Sequence, residues 1–388
     1  MSRWIEIFIV SLKLGLTSFG GPVAHLGYFY EEYVKRRKWI DEKGYADLVA
    51  LCQFLPGPAS SQVGMGIGLI RGGVVGAIIS FIGFTLPSSL LLIMFALLAT
   101  TYDLTDAGFI HGLKLVAVAI VADAVLGMGM KLAVGPKRLA LMLLALAGVL
   151  IFDHPLAQVG VLLLAALFGL LLFKVEPQSG QPLAIHVSRV WSISALILFF
   201  GLLVATPILA TVATGNVQLA SIMYNAGALV FGGGHVVLPF LNQALVPGFM
   251  DGTNFLAGYA AAQAVPGPLF TFATYLGTVI SGVSGGLLAT LAIFLPGFLL
   301  VIGVVPFWDR VRMNKQVGRM LIGVNAAVVG LLLAALYDPI FTSSVETGLD
   351  FFVAFWLFCL LRFYNQSPLR IVLLGAVIGM VLSGIGLA

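Results

Sequence analysis

A chain of 388 residues is long enough for two or three soluble domains, but 60% of it is hydrophobic and only 9% is charged. Soluble proteins carry about 25% charge, so no folded surface here is covered against water, and a mean hydropathy of +1.08 marks an integral membrane protein. At roughly 20 residues per span the apolar content allows about a dozen inserted segments, which excludes a separate soluble domain, a nucleic-acid partner and a disulfide scaffold; the net charge of +4 is the ordinary basic excess of cytoplasmic loops.

The first apolar run follows Arg3 and is interrupted by Lys13, with no small-residue cleavage site after it. It reads as a retained segment and not as a signal peptide. The run ends at Phe19-Gly20-Gly21-Pro22, a flexible break followed by a proline suited to the first turn of a new helix. The loop 31–44 is basic (Lys35, Arg36, Arg37, Lys38, Lys43), whereas the loop 100–107 holds Asp103 and Asp106. Residues 72–99 suffice for one crossing between them. Residues 45–71 must therefore enter and leave on one side. Pro56-Gly57-Pro58 in their middle predicts a re-entrant pair of half-helices, tolerated where protein or a polar cavity surrounds the broken backbone.

The later loops alternate in the same way. Lys131, Lys137 and Arg138, then Lys174 and Arg189, then Arg310, Arg312, Lys315 and Arg319, then Arg362 and Arg370 fill loops that read as cytoplasmic. The loops 153–154, 212–217, 247–254 and 338–350 hold no Lys or Arg, and carry Asp153, Asp251, Asp338, Glu346 and Asp350. They read as external.

The chain also repeats itself. Phe19-Gly20-Gly21 recurs as Phe231-Gly232-Gly233 (offset 212), and Gln53 with Pro56-Gly57-Pro58 recurs as Gln263 with Pro266-Gly267-Pro268 (offset 210). Leu86-Pro87 recurs as Leu295-Pro296 (offset 209), and Gly112 as Gly323 (offset 211). The loops after matching landmarks exchange their charge, so the halves are expected to lie in the membrane with opposite orientation. The fold expected is an all-α polytopic membrane protein built as an inverted-topology repeat with broken, re-entrant helices. Residues 1–189 form the first repeat, 190–211 a linking transmembrane helix and 212–388 the second repeat, with the N-terminus cytoplasmic and the C-terminus external.

Each break starts a helix whose first N–H groups have no partner of their own. These are Val23, Ala24 and His25 after Pro22; Ala59, Ser60 and Ser61 after Pro58; Gly232, Gly233, Gly234 and His235; and Leu269, Phe270 and Thr271 after Pro268. Four such ends at about +0.5 charge each face a dianion with roughly +2. The alternative is that the breaks are kinks for close helix packing. Three bases lie outside the loops. Lys13 aligns with Asn225 and Lys114 with Asn325, as an asymmetric anion site would have it; Arg71 either binds substrate or snorkels from the end of its half-helix. Asp123 lies nine residues after Lys114, on the opposite helix face, and either carries a proton for coupling or pairs with a base elsewhere. Gln53 and Gln263 either donate to an oxyanion or cap broken carbonyls. The five histidines form no metalloprotease pattern, Cys52 and Cys359 lie far apart, and no phosphate-binding loop occurs. No catalytic residue, cofactor or metal is expected.

At Phe19-Gly20-Gly21-Pro22 and the two Pro-Gly-Pro elements the sequence resembles the chromate ion transporter family in its long form, with two fused homologous halves. The resemblance covers nearly the whole chain and departs at the second Phe-Gly-Gly, where Gly234-His235 stands in place of proline. It implies efflux of chromate from the bacterial cytoplasm across the inner membrane, and hence chromate resistance, with sulfate as the close chemical analogue. The residues themselves reach only an anion transporter in a lipid bilayer, and a homodimer is compatible with them. A sulfate uptake symporter, a passive anion channel and a membrane enzyme acting on lipid phosphates are the rivals. The last would want clustered acids, and Asp123 alone does not supply them.

Overall fold

The computed structural model describes residues 2–102, 107–152, 155–175, 187–231, 234–246 and 248–385, and among these the secondary structure is entirely helical. The first half contains α1 (Arg3–Thr17), α2 (Gly21–Phe29, continued by a π-helical turn Tyr30–Arg36), α3 (Glu42–Phe54), α4 (Ala59–Thr101), α5 (Gly108–Leu132), α6 (Pro136–Ile151) and α7 (Pro155–Leu172). After α8 (Arg189–Val212) come α9 (Gly215–Leu229), α10 (Val237–Leu245), α11 (Gly252–Ala264), α12 (Phe272–Val304), the short α13 (Trp308–Arg312), α14 (Lys315–Ala335), α15 (Gly348–Arg362) and α16 (Pro368–Gly384).

The helices double back at the sequence breaks. In α4, the Ser80 hydroxyl donates to the Gly64 carbonyl at 2.8 Å, although sixteen residues of straight helix span about 24 Å. The reversal lies at Gly72-Gly73, where the backbone leaves helical geometry. The arms 59–71 and 74–101 therefore pack side by side, and the turn falls between the segments 45–71 and 72–99. α12 does the same at Ser281-Gly282, bringing the Thr274 and Thr290 hydroxyls to 2.6 Å. α3 folds against α4 across Pro56-Gly57-Pro58, so closely that a side chain at Gly66 would meet Leu48 Cδ1 at 2.7 Å. α1 and α2 reverse at residues 18–20, which sets Lys13 Nζ 2.7 Å from Glu32 Oε2 and Arg37 Nη1 3.0 Å from Glu6 Oε1.

Small residues bring the backbones together, as they must where lipid supplies no hydrophobic force between helices. A Cβ at Gly15 would stand 2.6 Å from the Phe84 carbonyl oxygen, which shows how closely α1 lies on α4. Gly227 of α9 meets Ile293 of α12 in the same way. Further out the halves interleave: Gly112 of α5 lies against the Gly375 backbone of α16, and Gly323 of α14 against the Ala165 backbone of α7. α4 and α12 meet at the centre. Among the described residues five helical stretches (59–101, 108–132, 189–212, 269–307 and 315–341), the first and fourth counted across their turns, are long and apolar enough to cross a membrane. On α8, Ile197 and Val204 remain 68% and 69% exposed, an apolar surface that only lipid covers favourably.

Candidate functional site

The breaks of one half are held by the breaks of the other. The Gly57 amide donates to the Val230 carbonyl at 2.8 Å, and the Gly267 amide donates to the Ser18 carbonyl at 2.9 Å. The two bonds repeat with the halves exchanged, at offsets of 210 and 212 residues. Both glycines have positive φ, +115° and +103°, a region that side chains strain to enter. Around them the central helices close in. A Cβ at Gly57 would lie 3.4 Å from Gly297 Cα, and one at Gly267 would lie 2.9 Å from Ser88 Oγ.

Helices begin at these tips as the sequence suggests, one residue later than expected at Pro58 and one residue earlier at Pro22. Pro58 is the N-cap, and Gln62 N donates to the Pro58 carbonyl at 2.9 Å. The amides of Ala59, Ser60 and Ser61 stand ahead of that first helical bond. Gly20, at φ +94°, caps α2, and Pro22 lies in its first turn. Pro268 likewise precedes a short 3₁₀ turn, Leu269–Thr271, but there the expectation of free donors fails at one residue. Both the amide and the hydroxyl of Thr271 turn back to the Pro268 carbonyl, at 3.0 Å and 2.7 Å. The tighter 3₁₀ turn closes i→i+3 bonds that an α-helical start leaves open. Gly232 and Gly233 lie outside the described residues.

Polar groups gather at the tips. His25 Nδ1 lies 3.2 Å from Ser60 Oγ, with its ring edge-on to Phe84. His235 Nδ1 lies 2.7 Å from Tyr259 Oη and 3.3 Å from Gln263 Nε2, so Gln263 serves the histidine. Gln53 is exposed. Gln62 Nε2 donates to the Pro56 carbonyl at 2.9 Å. Four buried side-chain atoms here belong to hydroxyls or imidazole and have no partner among the described residues: Ser18 Oγ, His25 Nε2, Ser61 Oγ and Thr85 Oγ1. Gln62 Oε1 is a fifth. Sequence reasoning found His25 and Ser61 but missed Ser18, Gln62 and Thr85. A lone hydroxyl or amide in an apolar run gives no signal until its surroundings are known.

The intramembrane charges go elsewhere. Lys13 pairs with Glu32, which also receives Arg37 Nε at 3.0 Å and Arg36 Nη1 at 3.3 Å. Arg71 lies 3.8 Å from Glu6 and 5.0 Å over the Trp39 ring, whose other cation is Arg37 at 5.7 Å. Asn225 Oδ1 accepts from Thr206 of α8 at 2.6 Å. Lys114 reaches Glu346 at 3.9 Å, and Asp123 pairs with Arg362 at 3.5 Å, the base elsewhere that its helix face calls for. Asn325 is half-buried on α14. Glu6, Glu32 and Trp39, which tie this network together, were not singled out from the sequence, although an acid in the first apolar run and another at the start of the basic loop were the available signal. Among the described residues no group of three or more His, Cys, Asp or Glu is placed to hold a metal ion.

A family model described as chromate transporter matches residues 5–170 and 217–380, on either side of α8. A chromate transport protein of Pseudomonas aeruginosa is 28% identical over 96% of this chain and 90% of its own length. A chromate transport protein of Cupriavidus metallidurans is 26% identical, covering 97% and 92% of the two chains. An uncharacterized transporter of Methanocaldococcus jannaschii is 28% identical, covering 97% and 93%. No solved structure matches the chain. With the long apolar helices, these matches make it a multi-pass membrane protein of a transporter type.

Proposed function

The chain belongs to the chromate transporter family, and we propose that it exports chromate across the bacterial inner membrane and so confers chromate resistance. Similar proteins named as chromate transport proteins along nearly the whole length support the substrate. The observation that carries the mechanism is the pair of reciprocal bonds, Gly57 to Val230 and Gly267 to Ser18. They join broken helices from both halves into one cluster, as expected of a site at a repeat interface. In this reading the helix pairs 3–36 and 42–71 are re-entrant, and the second half repeats them with inverted orientation after α8. Free amides at the tips meet the oxyanion, and the hairpins exchange its access between the two sides. The domain boundaries 1–189, 190–211 and 212–388 follow from the same scheme.

The direction rests on electrostatics. Moving one charge through 100 mV is worth about 2.3 kcal/mol, so a dianion leaving a negative cytoplasm gains about 4.6 kcal/mol. That is a little over three decades of concentration ratio, at about 1.36 kcal/mol per decade. No protonatable carboxylate is needed at the site, and Asp123 is held by Arg362. The test is chromate flux in proteoliposomes with an imposed potential and no proton or sodium gradient. Flux should follow the potential. Flux that ignores it, or that starts only with a cation gradient, overturns the electrical driving force.

A further inference from the structure

We infer that the oxyanion binds on one side of the quasi-symmetric tip cluster only, at the N-terminus of the 59–71 arm of α4, and that each chain holds one ion there. This deepens the transport reading and rests on it. A duplicated scaffold by itself offers two equivalent helix starts, one after each Pro-Gly-Pro. The side chains that fill the two starts are not equivalent.

On the first side, the amides of Ala59, Ser60 and Ser61 precede the first helical bond. Ser61 Oγ, Ser18 Oγ, Thr85 Oγ1 and His25 Nε2 are without partners, and their residues are only 3%, 0%, 3% and 1% exposed. Buried polar atoms are nearly always satisfied, because leaving one unpaired forfeits its hydrogen bond to water. A set of them at one helix start marks a place that a polar ligand completes. Contacts tie the set together. His25 meets Ser60, the neighbour of Ser61, and packs on Phe84, the neighbour of Thr85. The Ser18 carbonyl holds the Gly267 amide, and a Cβ on that glycine would approach Ser88 Oγ and the Phe84 carbonyl.

On the second side the corresponding positions are filled differently. At the offset of 210 that relates the Pro-Gly-Pro elements, Phe270 replaces Ser60 and Thr271 stands at the place of Ser61, while Val230 replaces Ser18 at an offset of 212 and Phe294 replaces Thr85 at 209. The Phe270 and Phe294 rings lie 5.8 Å apart, and Thr271 spends its amide and hydroxyl on Pro268. That helix start is closed by hydrocarbon and by its own turn.

The ligand class follows from the donors. Hydroxyls and helix amides are neutral and point-like, and with a helix N-terminus they suit an oxyanion carried without a counter-charge. A fixed lysine would hold the ion too firmly for release, and the lysine of the first hairpin, Lys13, is taken by Glu32. Gln62 Oε1 is an acceptor, fixed in that role because Nε2 donates to Pro56. It repels an anion, so the ion sits on the Ser18 and Ser61 side.

The experiment is calorimetric titration of chromate into the purified full-length protein. One ion per chain is expected. Ser18→Ala and Ser61→Ala should each weaken binding about tenfold or more, the usual loss for a hydrogen bond to a charged group, in protein that elutes and melts like the parent. Ser61→Asp, which adds a negative charge at the helix start, should abolish binding. Two equivalent ions per chain, or unchanged affinity in both alanine variants, overturns the one-sided site. If the unaltered protein binds neither chromate, sulfate nor molybdate, the transport reading falls, and this inference falls with it.

Discussion

Replacing Gly267 with alanine tests whether the tips are as tightly joined as the geometry requires. The residue has φ +103°, and a side chain held there is strained by about 1–3 kcal/mol. Its new Cβ would also stand 2.9 Å from Ser88 Oγ and 3.3 Å from Ser88 Cβ, an overpacking that costs about 1–3 kcal/mol. Gly282, at the turn of α12, separates the two effects. Its φ is +66° with ψ −165°, equally unsuited to alanine, but no atom lies within 4 Å of the added Cβ. Gly282→Ala should therefore show backbone strain alone, and Gly267→Ala the strain plus the collision. The difference, about 1–3 kcal/mol, is read as a lower melting temperature of the detergent-purified protein. Chromate flux should fall much further in Gly267→Ala, because the displaced amide loses the Ser18 carbonyl. Equal melting shifts in the two variants, or normal flux in Gly267→Ala, would refute the tight junction.

Topology is checked by accessibility of single cysteines: those placed in 31–43 and 308–319 should label from the cytoplasm, and those in 247–254 and 338–350 from outside. Labelling of 31–43 and 247–254 from one side ends the inverted arrangement. Glu32→Gln strips the shared carboxylate from Lys13, Arg36 and Arg37. Breaking a fully buried pair costs about 3–5 kcal/mol, and the half-exposed cations reduce this to about 2–3 kcal/mol, measured as thermal stability.

The architecture was legible because membranes constrain the chain so strongly. Charge in loops, length of apolar runs and recurrence of Pro-Gly-Pro placed the helix breaks at residues 18–20, 55–58 and 265–268, where helices end in the structure. The reversal at Gly72-Gly73 falls at the boundary that loop charge and parity set between the segments 45–71 and 72–99. Local geometry was less legible. Both sequences after Pro58 and Pro268 look like α-helix starts, yet one opens directly as α-helix and the other as a 3₁₀ turn. That choice depends on what Leu269 and Phe270 pack against, and no short-range pattern records it.

The charged candidates show why the site itself was harder to read. Lys13 aligned with Asn225 looked like a cation set against a neutral donor across a shared ligand. In a membrane, however, a lone ammonium is expensive, and the hairpin of α1 and α2 brings it a carboxylate nineteen residues away at 2.7 Å. Asn225 found Thr206 of α8, a helix with no counterpart in the repeat. Lys13 and Asn225 were thus both absorbed by partners that folding supplied. At the helix tips the groups left unsatisfied include three hydroxyls, Ser18, Ser61 and Thr85, each unremarkable in sequence. A carrier has reason to be built this way. In the proposed reading, strong charges lock onto local partners and stiffen the hairpins, while weak neutral donors stay free to bind an anion without trapping it. The difference between the halves therefore lies in hydroxyl against phenyl, Ser60 against Phe270 and Thr85 against Phe294, more than in lysine against asparagine.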